Sequence, residues 1–299
     1  MKNMNVLGID IGGTNIRVGL VKNNSLVRVE SLKIKKNGSE TEIIDDLNSL
    51  IGKFLNEKID GIGIGVPGLV DIEKGIVYNT TNIPAWKKVY LKEQIETKND
   101  IPVYVNNDAN CFVLGEKYFG QVIGYDNIVG LIIGTGFGSG LVLNGQLYLG
   151  ENCGAGEFGM IPFRNHNFEY YCSGQFFYKE YGVAGEELEE KAKSGDAKAL
   201  DIFSRYGSNL GEAIKVIMLA VDPEIIILGG SVSKSYRFFK DAMWESIRNF
   251  LYVHSSEKIK VEVTETNYIA ILGAAALYYN ALKNIAIQNK IGTDNNIKQ

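Results

Sequence analysis

Asp10-Ile11-Gly12-Gly13-Thr14-Asn15 is the stretch that decides the fold, because it joins two short apolar runs through a glycine-rich turn. The run before it, Val6 to Asp10, and the alternating run after it, Ile16 to Val21, both have the pattern of a β-strand. The sequence therefore predicts a strand, a tight turn and a second strand near the start of the chain.

A second glycine-rich turn, Gly134-Thr135-Gly136-Phe137-Gly138-Ser139-Gly140, repeats the first pattern 121 positions further along. Two such hairpins, one opening each half of the chain, predict a duplicated domain. A chance coincidence of apolar strands and glycine-threonine turns is the alternative. The residues that coincide in this alignment are Ile11, Gly13, Thr14, Gly19, Leu20, Val21, Asn23 and Leu26 with Ile132, Gly134, Thr135, Gly140, Leu141, Val142, Asn144 and Leu147.

Apolar periodicity in the rest of the chain alternates between helical and strand-like spacing. This alternation predicts an α/β fold with central mixed sheets flanked by helices. The stretch between the second hairpin and Gly182 predicts loops. The predicted helices cover 40–55, 109–118, 186–192, 197–220, 236–251 and 270–283, and the further predicted strands cover 62–66, 103–105 and 225–228.

Composition limits the function. The 299 residues are 45% hydrophobic, enough for two cores, and the net charge is −4. No basic run exceeds Lys33-Ile34-Lys35-Lys36, so nucleic acid is not an expected partner. No apolar stretch approaches the roughly 20 residues of a membrane span and no signal peptide is evident, so we expect a soluble, cytoplasmic protein. The cysteines and histidines show no CxxC or HxxxH spacing: Cys111, Cys153, Cys172, His166 and His254.

Both glycine turns have the chemistry of phosphate binding. Glycines let backbone amides approach an anion, and the Thr14 and Asn15 side chains add donors. The Asp10 carboxylate is a candidate Mg²⁺ ligand through water. A plain hairpin with a solvated aspartate is the alternative for the first turn, but four glycines in seven residues are costly for the second. Neither turn is a P-loop, and no helix follows to make a dinucleotide fold.

Three further positions suggest ligand contacts. Gly229-Gly230-Ser231 follows a predicted strand and could admit an adenosine, although an ordinary strand-to-helix turn is the simpler interpretation of that motif alone. Asp108 lies between a strand and a helix, where a carboxylate can accept a proton from a hydroxyl or merely cap the helix. Glu157, among small residues, suits a polyol better than a helix surface.

Together these motifs, in this order, resemble the ROK sugar kinases (repressor, ORF, kinase) of the actin and hexokinase-like ATPases, from Gly8 to about Tyr279. The resemblance implies that Asp108 of Asn107-Asp108-Ala109-Asn110 is the general base. It implies sugar contacts from Gly68, Asn107, Asp108, Glu157 and Glu180. The implied ATP and phosphate contacts are Asp10, Gly12, Gly13, Thr14, Asn15, Gly134, Thr135, Gly136, Gly138, Gly229 and Gly230.

The resemblance also implies a two-domain ribonuclease-H-like fold. The expected domains are 1–118 with about 274–299, and 119–273 on the nucleotide side, around an active-site cleft. The implied reaction is ATP- and Mg²⁺-dependent phosphorylation of the C6 hydroxyl of a hexose by a homodimer. Because the chain begins at the kinase part, we do not expect a repressor.

Glucose is the expected substrate, from the similarity of Asn82-Ile83-Pro84-Ala85-Trp86 to a segment of glucokinase-like members. N-acetylmannosamine, allose, fructose and glucosides stay open as alternatives. A sugar sensor without turnover is the alternative of another class, and it would need a broken Asp108 or broken phosphate turns.

The chain departs from the family at its structural zinc motif. Met160 stands at the family's histidine position, and Tyr171, Ser173 and Tyr178 stand at three cysteine positions, with Cys172 between two of them. One thiolate and the distant His166 do not make a tetrahedral set, so we expect no zinc. Aromatic packing is expected to hold the segment instead, by Tyr170, Tyr171, Phe176, Phe177 and Tyr178.

Overall fold

The computed structural model describes residues 4–80, 83–151 and 154–296. The strands are β1 (Asn5–Ile11), β2 (Asn15–Lys22), β3 (Ser25–Lys33), β4 (Gly61–Val66), β5 (Leu69–Asp71), β6 (Ile76–Tyr78), β7 (Lys88–Val89), β8 (Val103–Asn107), β9 (Ile128–Ile133), β10 (Phe137–Leu143), β11 (Gln146–Tyr148), β12 (Pro162–Phe163), β13 (His166–Asn167), β14 (Ile225–Gly229) and β15 (Lys260–Val263). The α-helices are α1 (Glu40–Gly52), α2 (Leu91–Asn99), α3 (Asp108–Phe119), α4 (Phe168–Cys172), α5 (Gln175–Tyr181), α6 (Gly185–Lys193), α7 (Ala197–Val221), α8 (Tyr236–Arg248), α9 (Val253–Lys258) and α10 (Ile269–Asn296).

The chain forms two compact units. Unit 1 comprises Met1–Ile123, Gly150–Gly154 and Thr266–Gln299, and unit 2 comprises Gly124–Leu149 and Ala155–Glu265. The sequence predicted divisions at 118/119 and about 273/274; the main divisions between the units lie at 123/124 and 265/266, and Gly150–Gly154 also belongs to unit 1.

Each unit is built on one five-stranded sheet of the same topology. The strand orders are β3-β2-β1-β4-β8 in unit 1 and β11-β10-β9-β14-β15 in unit 2. In both sheets the first three strands of the unit pair antiparallel, and the next two add in parallel on the far side. This shared order is the structural counterpart of the repeat in the sequence.

The two hairpins differ by one residue in their turns. In unit 1, Ile11 pairs with Ile16 across a four-residue turn, whereas in unit 2, Ile133 pairs with Phe137 across a three-residue turn. The gapless alignment of the sequence is therefore correct for the second strand of each hairpin and one residue out of register in the first. The shift is visible in two equivalent strand pairs, Gly8 with Gly19 and Gly130 with Gly140. Gly19 and Gly140 lie 121 positions apart, whereas Gly8 and Gly130 lie 122 positions apart.

The core of unit 1 lies on both faces of its sheet. Isoleucines and leucines of α1 pack on one face with β1, β2 and β4. On the other face α10 approaches the sheet so closely that a Cβ at Gly63 would lie 1.8 Å from the Ala274 carbonyl oxygen. Glycine is required there because the backbones leave no space for a side chain.

Helix α10 contains a stretch, Ile269–Ala286, that is long and apolar enough by length and composition to cross a membrane, with a mean hydropathy of 1.2. It packs against β1, β4 and α3 of its own unit, and Leu272, Ala275 and Tyr279 are buried there. Such packing is typical of the core helix of a sheet domain.

Unit 2 is completed by α7 and α8, which pack on its sheet around a large aromatic core. The stretch predicted as loops before Gly182 contains α4 and α5 and the short ribbon β12–β13. Its aromatic residues are too closely spaced to show a helical period, and tertiary packing decides their conformation.

Candidate active site

The carboxyl edge of the unit 1 sheet gathers several of the predicted site residues. Asp10 ends β1 beside Gly65 of β4, and Gly65 pairs in turn with Asn106 of β8. Because parallel strands end at the same edge, Asp10 and the Asn107-Asp108 step lie at one end of this sheet.

Asp10 is a largely buried carboxylate. Its side chain is 19% exposed, and its Oδ2 lies 3.7 Å from a guanidinium nitrogen of Arg17, its partner across the hairpin. Burial raises the pKa of Asp10, and the nearby Arg17 opposes that rise only in part. The edge therefore holds a desolvated carboxylate that a cation would stabilise.

The first glycine turn is fixed by two backbone hydrogen bonds. The Gly12 amide donates to the Asn15 carbonyl at 3.0 Å, and the Ile34 amide donates to the Thr14 carbonyl at 2.9 Å. Thr14 is exposed, while Gly12, Gly13 and Asn15 are half-buried. The turn predicted from the sequence is thus formed, with its threonine facing solvent.

Asp108 is the first residue of α3, and Asn107 caps that helix. The Asn107 Oδ1 accepts from the Asn110 amide at 2.8 Å, so the helix cap is Asn107 and not Asp108. Asp108 is exposed, and its Oδ1 accepts from the Ala109 amide at 2.9 Å. The carboxylate therefore projects from the helix start with a fixed orientation.

The Asn106 side chain stabilises the junction between β8 and α3. It is 2% exposed, and its Oδ1 accepts from the Asn107 amide at 2.8 Å and from the Asn110 Nδ2 at 2.9 Å. The strand end and the first helical turn are thereby tied together across Asp108. The sequence predicts that the side chains of Asn106, Asn107 and Asp108 can cap the helix, and Asn106 contributes by accepting from the Asn107 amide and the Asn110 side chain.

Cys111 lies under the same edge. Its thiol is buried, and burial raises its pKa, with further contributions from the charges of Asp108 and Asp10. Both carboxylates are therefore close enough to act on one sulfur, which places them in the same small region of unit 1.

Gly68 lies in the turn that follows β4. Its φ of +101° is a conformation that residues with a side chain rarely adopt. The nearby segment ends at Trp86, which is buried and whose amide donates to the Ile83 carbonyl at 2.8 Å. Asn82, part of the glucokinase-like segment, lies outside the described residues.

The second glycine turn is embedded in unit 2. The Gly134 amide donates to the Gly136 carbonyl at 3.0 Å, and the Gly134 carbonyl accepts from the Gly174 amide at 2.7 Å. The Ser173 hydroxyl donates to the Thr135 carbonyl at 3.2 Å. The turn is thus held by the segment that replaces the zinc motif, while Gly138 lies in β10 opposite Ile132.

A carboxylate already occupies this turn. Oε2 of Glu169, in α4, accepts from the Phe137 amide at 3.2 Å, and a Cβ at Gly136 would lie 2.8 Å from the same oxygen. Its Oε1 accepts from the Gln175 Nε2 at 3.2 Å. Glu169 was missed by the sequence analysis because it contacts the turn across 32 residues and belongs to no motif.

A cavity of about 360 Å³ opens beside the second turn. Gly134 and Thr135 line one part, and Ser231, which follows Gly229 and Gly230, lines another. Gly230 has a φ of +90°, and a Cβ there would lie 2.2 Å from the Ile133 carbonyl oxygen. The structure therefore places Gly230 against the end of β9, directly before the second turn, and Ser231 in the cavity beside that turn.

Glu157 and Glu180 are the two candidate sugar carboxylates of unit 2. Glu157 follows Gly156, whose carbonyl accepts a hydrogen bond from the Ser139 hydroxyl of β10. Burial raises the pKa of Glu157, and the charge of Glu169 raises it further. The Glu180 Oε1 accepts from the Tyr170 hydroxyl at 2.7 Å.

Two rings hold the segment at the zinc-motif positions. The Tyr171 ring stands edge-on to Phe163, with ring centres 5.6 Å apart, and Ser173 is fully buried. Tyr178 was expected to join this packing, but that expectation is wrong: its side chain is 70% exposed and lines the cavity beside the second turn. It lies on the solvent-facing side of α5, whereas Phe176 and Phe177 are buried.

The remaining candidate zinc ligands do not form a set in the described structure. Burial raises the pKa of the Cys172 thiol well above its ordinary value, which disfavours the thiolate that zinc requires. His166 stacks on Tyr170 with ring centres 4.0 Å apart. Cys153 lies outside the described residues. Residues 4–80, 83–151 and 154–286 contain no group of three or more His, Cys, Asp or Glu side chains that could hold a metal ion.

Comparison with known proteins gives one consistent result. The model of the ROK family matches residues 6–281, and the chain therefore belongs to the ROK family. Its fold is the duplicated ribonuclease-H-like α/β fold of that family's hexokinases and glucokinases, as expected from the sequence.

Relatives of known activity align over nearly their full length. The glucokinase of Thermotoga maritima is 30% identical over 93% of this chain and 98% of its own. The N-acetyl-D-glucosamine kinase of Photobacterium profundum is 31% identical over 90% and 98%. The crystal structure of a ROK family glucokinase from Streptomyces griseus, in complex with glucose and AMPPNP, is similar with a TM-score of 0.76 at 25% identity, covering 91% of this chain and 98% of the other.

Proposed function

We propose that this protein is an ATP-dependent sugar kinase that transfers the γ-phosphate of ATP to the C6 hydroxyl of a hexose. The observation that carries the proposal is the cavity of unit 2, which is lined by Gly134 and Thr135 of the glycine turn suited to phosphate and by Ser231, the residue that follows the glycine pair suited to adenosine. The similarity to the Thermotoga maritima glucokinase, the Photobacterium profundum N-acetyl-D-glucosamine kinase and the Streptomyces griseus glucokinase supports it.

In the proposed reaction Asp108 is the general base. Its carboxylate accepts the proton of the sugar C6 hydroxyl while that oxygen forms a bond to the γ-phosphorus and the bond from phosphorus to the ADP oxygen breaks. The position supports this role, because Asp108 is exposed at the start of a helix whose dipole favours the ionised form. Asn107 and Asn106 keep the carboxylate in place through the capping hydrogen bonds.

The residues at the edge of the unit 1 sheet fit a magnesium ion. Mg²⁺ keeps most of its waters and takes one or two carboxylates together with substrate phosphates. Asp10 supplies such a carboxylate: burial raises its pKa, and the nearby Arg17 opposes that rise only in part, so a bound cation would stabilise the ionised form. When bound, Mg²⁺ would neutralise charge on the phosphate oxygens of ATP.

Each unit carries residues proposed to contact sugar. In unit 2, Glu157 and Glu180 would accept hydrogen bonds from ring hydroxyls, and in unit 1 the exposed backbone at Gly68 and the Asn107 side chain are the proposed contacts. The backbone amides of Gly136 and Gly138 would face phosphate, as would those of Gly12 and Gly13.

Glucose is the substrate we favour. The glucokinases of Thermotoga maritima and Streptomyces griseus support it, while the Photobacterium profundum relative makes N-acetylglucosamine a specific alternative. Met160, 51% exposed at the family's histidine position, removes one polar contact from the sugar side. The cytoplasmic location and the homodimer stay predictions.

A substrate panel tests the proposal. The purified protein is incubated with Mg²⁺ and ATP and with glucose, N-acetylglucosamine, N-acetylmannosamine, allose or fructose, and ADP release is followed. We expect turnover with glucose and none with 6-deoxyglucose, which lacks the acceptor hydroxyl. If the protein binds a sugar but releases ADP with none of the sugars, the kinase proposal is wrong and the protein is a sugar sensor.

A further inference from the structure

Lys179 in α5 lies where two concave surfaces of unit 2 meet. It lines the cavity of about 360 Å³ beside the second glycine turn and also a groove of about 480 Å³ lined by Met160, His166 and Glu169. Among the described residues that line either space, it is the one lysine or arginine. Lys179 is itself exposed, so a ligand in either space can reach its ammonium.

Lys179 is connected through Tyr170 to Glu180, one of the residues proposed to bind the sugar. Its ammonium nitrogen lies 5.0 Å from the centre of the Tyr170 ring, and the Tyr170 hydroxyl donates to Glu180 at 2.7 Å. The ring thus supports the cation from one face and holds the carboxylate of Glu180 at its edge.

Lys179 is also connected to the second glycine turn. The ammonium donates to the Gln175 Oε1 at 2.6 Å, and the Gln175 Nε2 donates to Glu169 at 3.2 Å. Glu169 in turn accepts from the Phe137 amide of the turn at 3.2 Å. A carboxylate on that amide marks a place where an anion is already stabilised by the backbone.

Lys179 is the positively charged residue of a cavity whose other charged lining residues, within the described chain, are acidic. These are Glu186 and Glu189, and Glu189 is paired with Lys193 at 2.9 Å. A polyphosphate entering such a cavity needs a cation near its phosphates, and Lys179 lines the same cavity as Gly134 and Thr135 of the phosphate turn. The acidic residues would then face the hydroxyl-bearing end of the nucleotide.

We propose that Lys179 donates hydrogen bonds to the γ-phosphate of ATP and neutralises charge on the phosphoryl group as it is transferred. This inference rests on the proposed kinase function. An ammonium located between the sugar carboxylate and the phosphate turn can follow the phosphoryl group from one oxygen to the other, and a preorganised cation of this kind lowers the barrier of phosphoryl transfer.

The experiment compares K179M, K179R and K191M. Methionine keeps the unbranched apolar chain and removes the charge, and arginine keeps the charge. Lys191 is the matched control, an exposed lysine of α6 that pairs with Glu187 four residues away and lines neither space. All are measured for kcat and for the KM of ATP and sugar, and for binding of inorganic tripolyphosphate by calorimetry.

We expect K179M to lower kcat/KM for ATP by about 100-fold, the lower end of the range seen when one charge-stabilising donor is removed. The KM of the sugar should change little, and K179R should recover most of the loss. Tripolyphosphate should bind more weakly to K179M than to wild type, and added salt should reduce this difference.

The outcomes separate the inference from the proposed function. If wild type phosphorylates a sugar and K179M behaves as K191M does in kinetics and in tripolyphosphate binding, the role of Lys179 is refuted and the kinase stands. If wild type phosphorylates no sugar and does not bind tripolyphosphate, the kinase proposal fails and the inference falls with it.

Discussion

Replacing Tyr206 with phenylalanine tests what holds the segment at the zinc-motif positions. The Tyr206 hydroxyl, on α7, donates to the carbonyl of Cys172 at the end of α4 at 2.8 Å. Both residues are fully buried, so water cannot substitute for the lost donor. We expect the substitution to destabilise unit 2 because a buried carbonyl is left without this hydrogen bond.

The magnitude follows from the burial. Leaving one buried acceptor without its donor costs about 1–3 kcal/mol. For a domain of 150–250 residues, roughly 2–4 °C of Tm corresponds to each kcal/mol, so a fall of roughly 2–12 °C is expected. The assay is thermal unfolding followed by circular dichroism, with and without EDTA.

Tyr178→Phe is the matched control. It removes a hydroxyl from a tyrosine of the same segment that is 70% exposed, and its Tm should stay within about 2 °C of wild type, as for most surface substitutions. Equal melting of Y206F and Y178F would refute the role of the Tyr206 hydrogen bond. A large loss of wild-type Tm in EDTA, with zinc found by elemental analysis, would show that a metal holds the segment.

Three further perturbations test other parts of the structure. Asp10→Asn should raise Tm at neutral pH yet lower kcat by at least about 10-fold. Burial raises the folded-state pKa of Asp10, so the carboxyl destabilises the folded state as pH rises from its unfolded pKa of 3.8 through the folded one, whereas the amide cannot ionise. An unchanged Tm would contradict the burial argument. Glu169→Gln should shift the acid limb of sugar binding to lower pH, because removing its charge lowers the raised pKa of Glu157; a limb that stays in place would exclude this coupling. Gly63→Ala should lower the free energy of unfolding by at least about 3 kcal/mol, since its Cβ would lie 1.8 Å from a carbonyl oxygen of α10. Gly52→Ala is the control and should leave that free energy unchanged, because a Cβ there meets nothing within 4 Å. Denaturant unfolding measures both.

The duplicated hairpins show how far the sequence alone leads. Alternating apolar runs around glycine turns predicted both hairpins, and the repeat predicted two units of the same topology. The one-residue difference between the turns was not predictable, because a gapless alignment of Gly13 with Gly134 satisfies identity while the strand register depends on hydrogen bonding across the turn.

Sequence motifs predicted the candidate site residues, but they did not predict the residues that contact them. Asp108 and Asn107 are identified by local sequence, since a strand end followed by a helix cap is a local pattern. Glu169 and Tyr206 act on residues more than 30 positions away, and no local pattern contains them. Tyr178 was placed in the aromatic core by composition, but its helical position on α5 directs it away from the core.

Asp108→Asn is the measurement that tests the central claim most directly. The amide keeps the shape and the backbone hydrogen bond of the side chain but cannot accept the hydroxyl proton. With the preferred sugar and ATP, ADP release should fall by about 10²- to 10⁴-fold while calorimetry shows sugar binding close to that of wild type. Near-normal turnover in this variant would contradict the assignment of Asp108 as general base and with it the proposed mechanism.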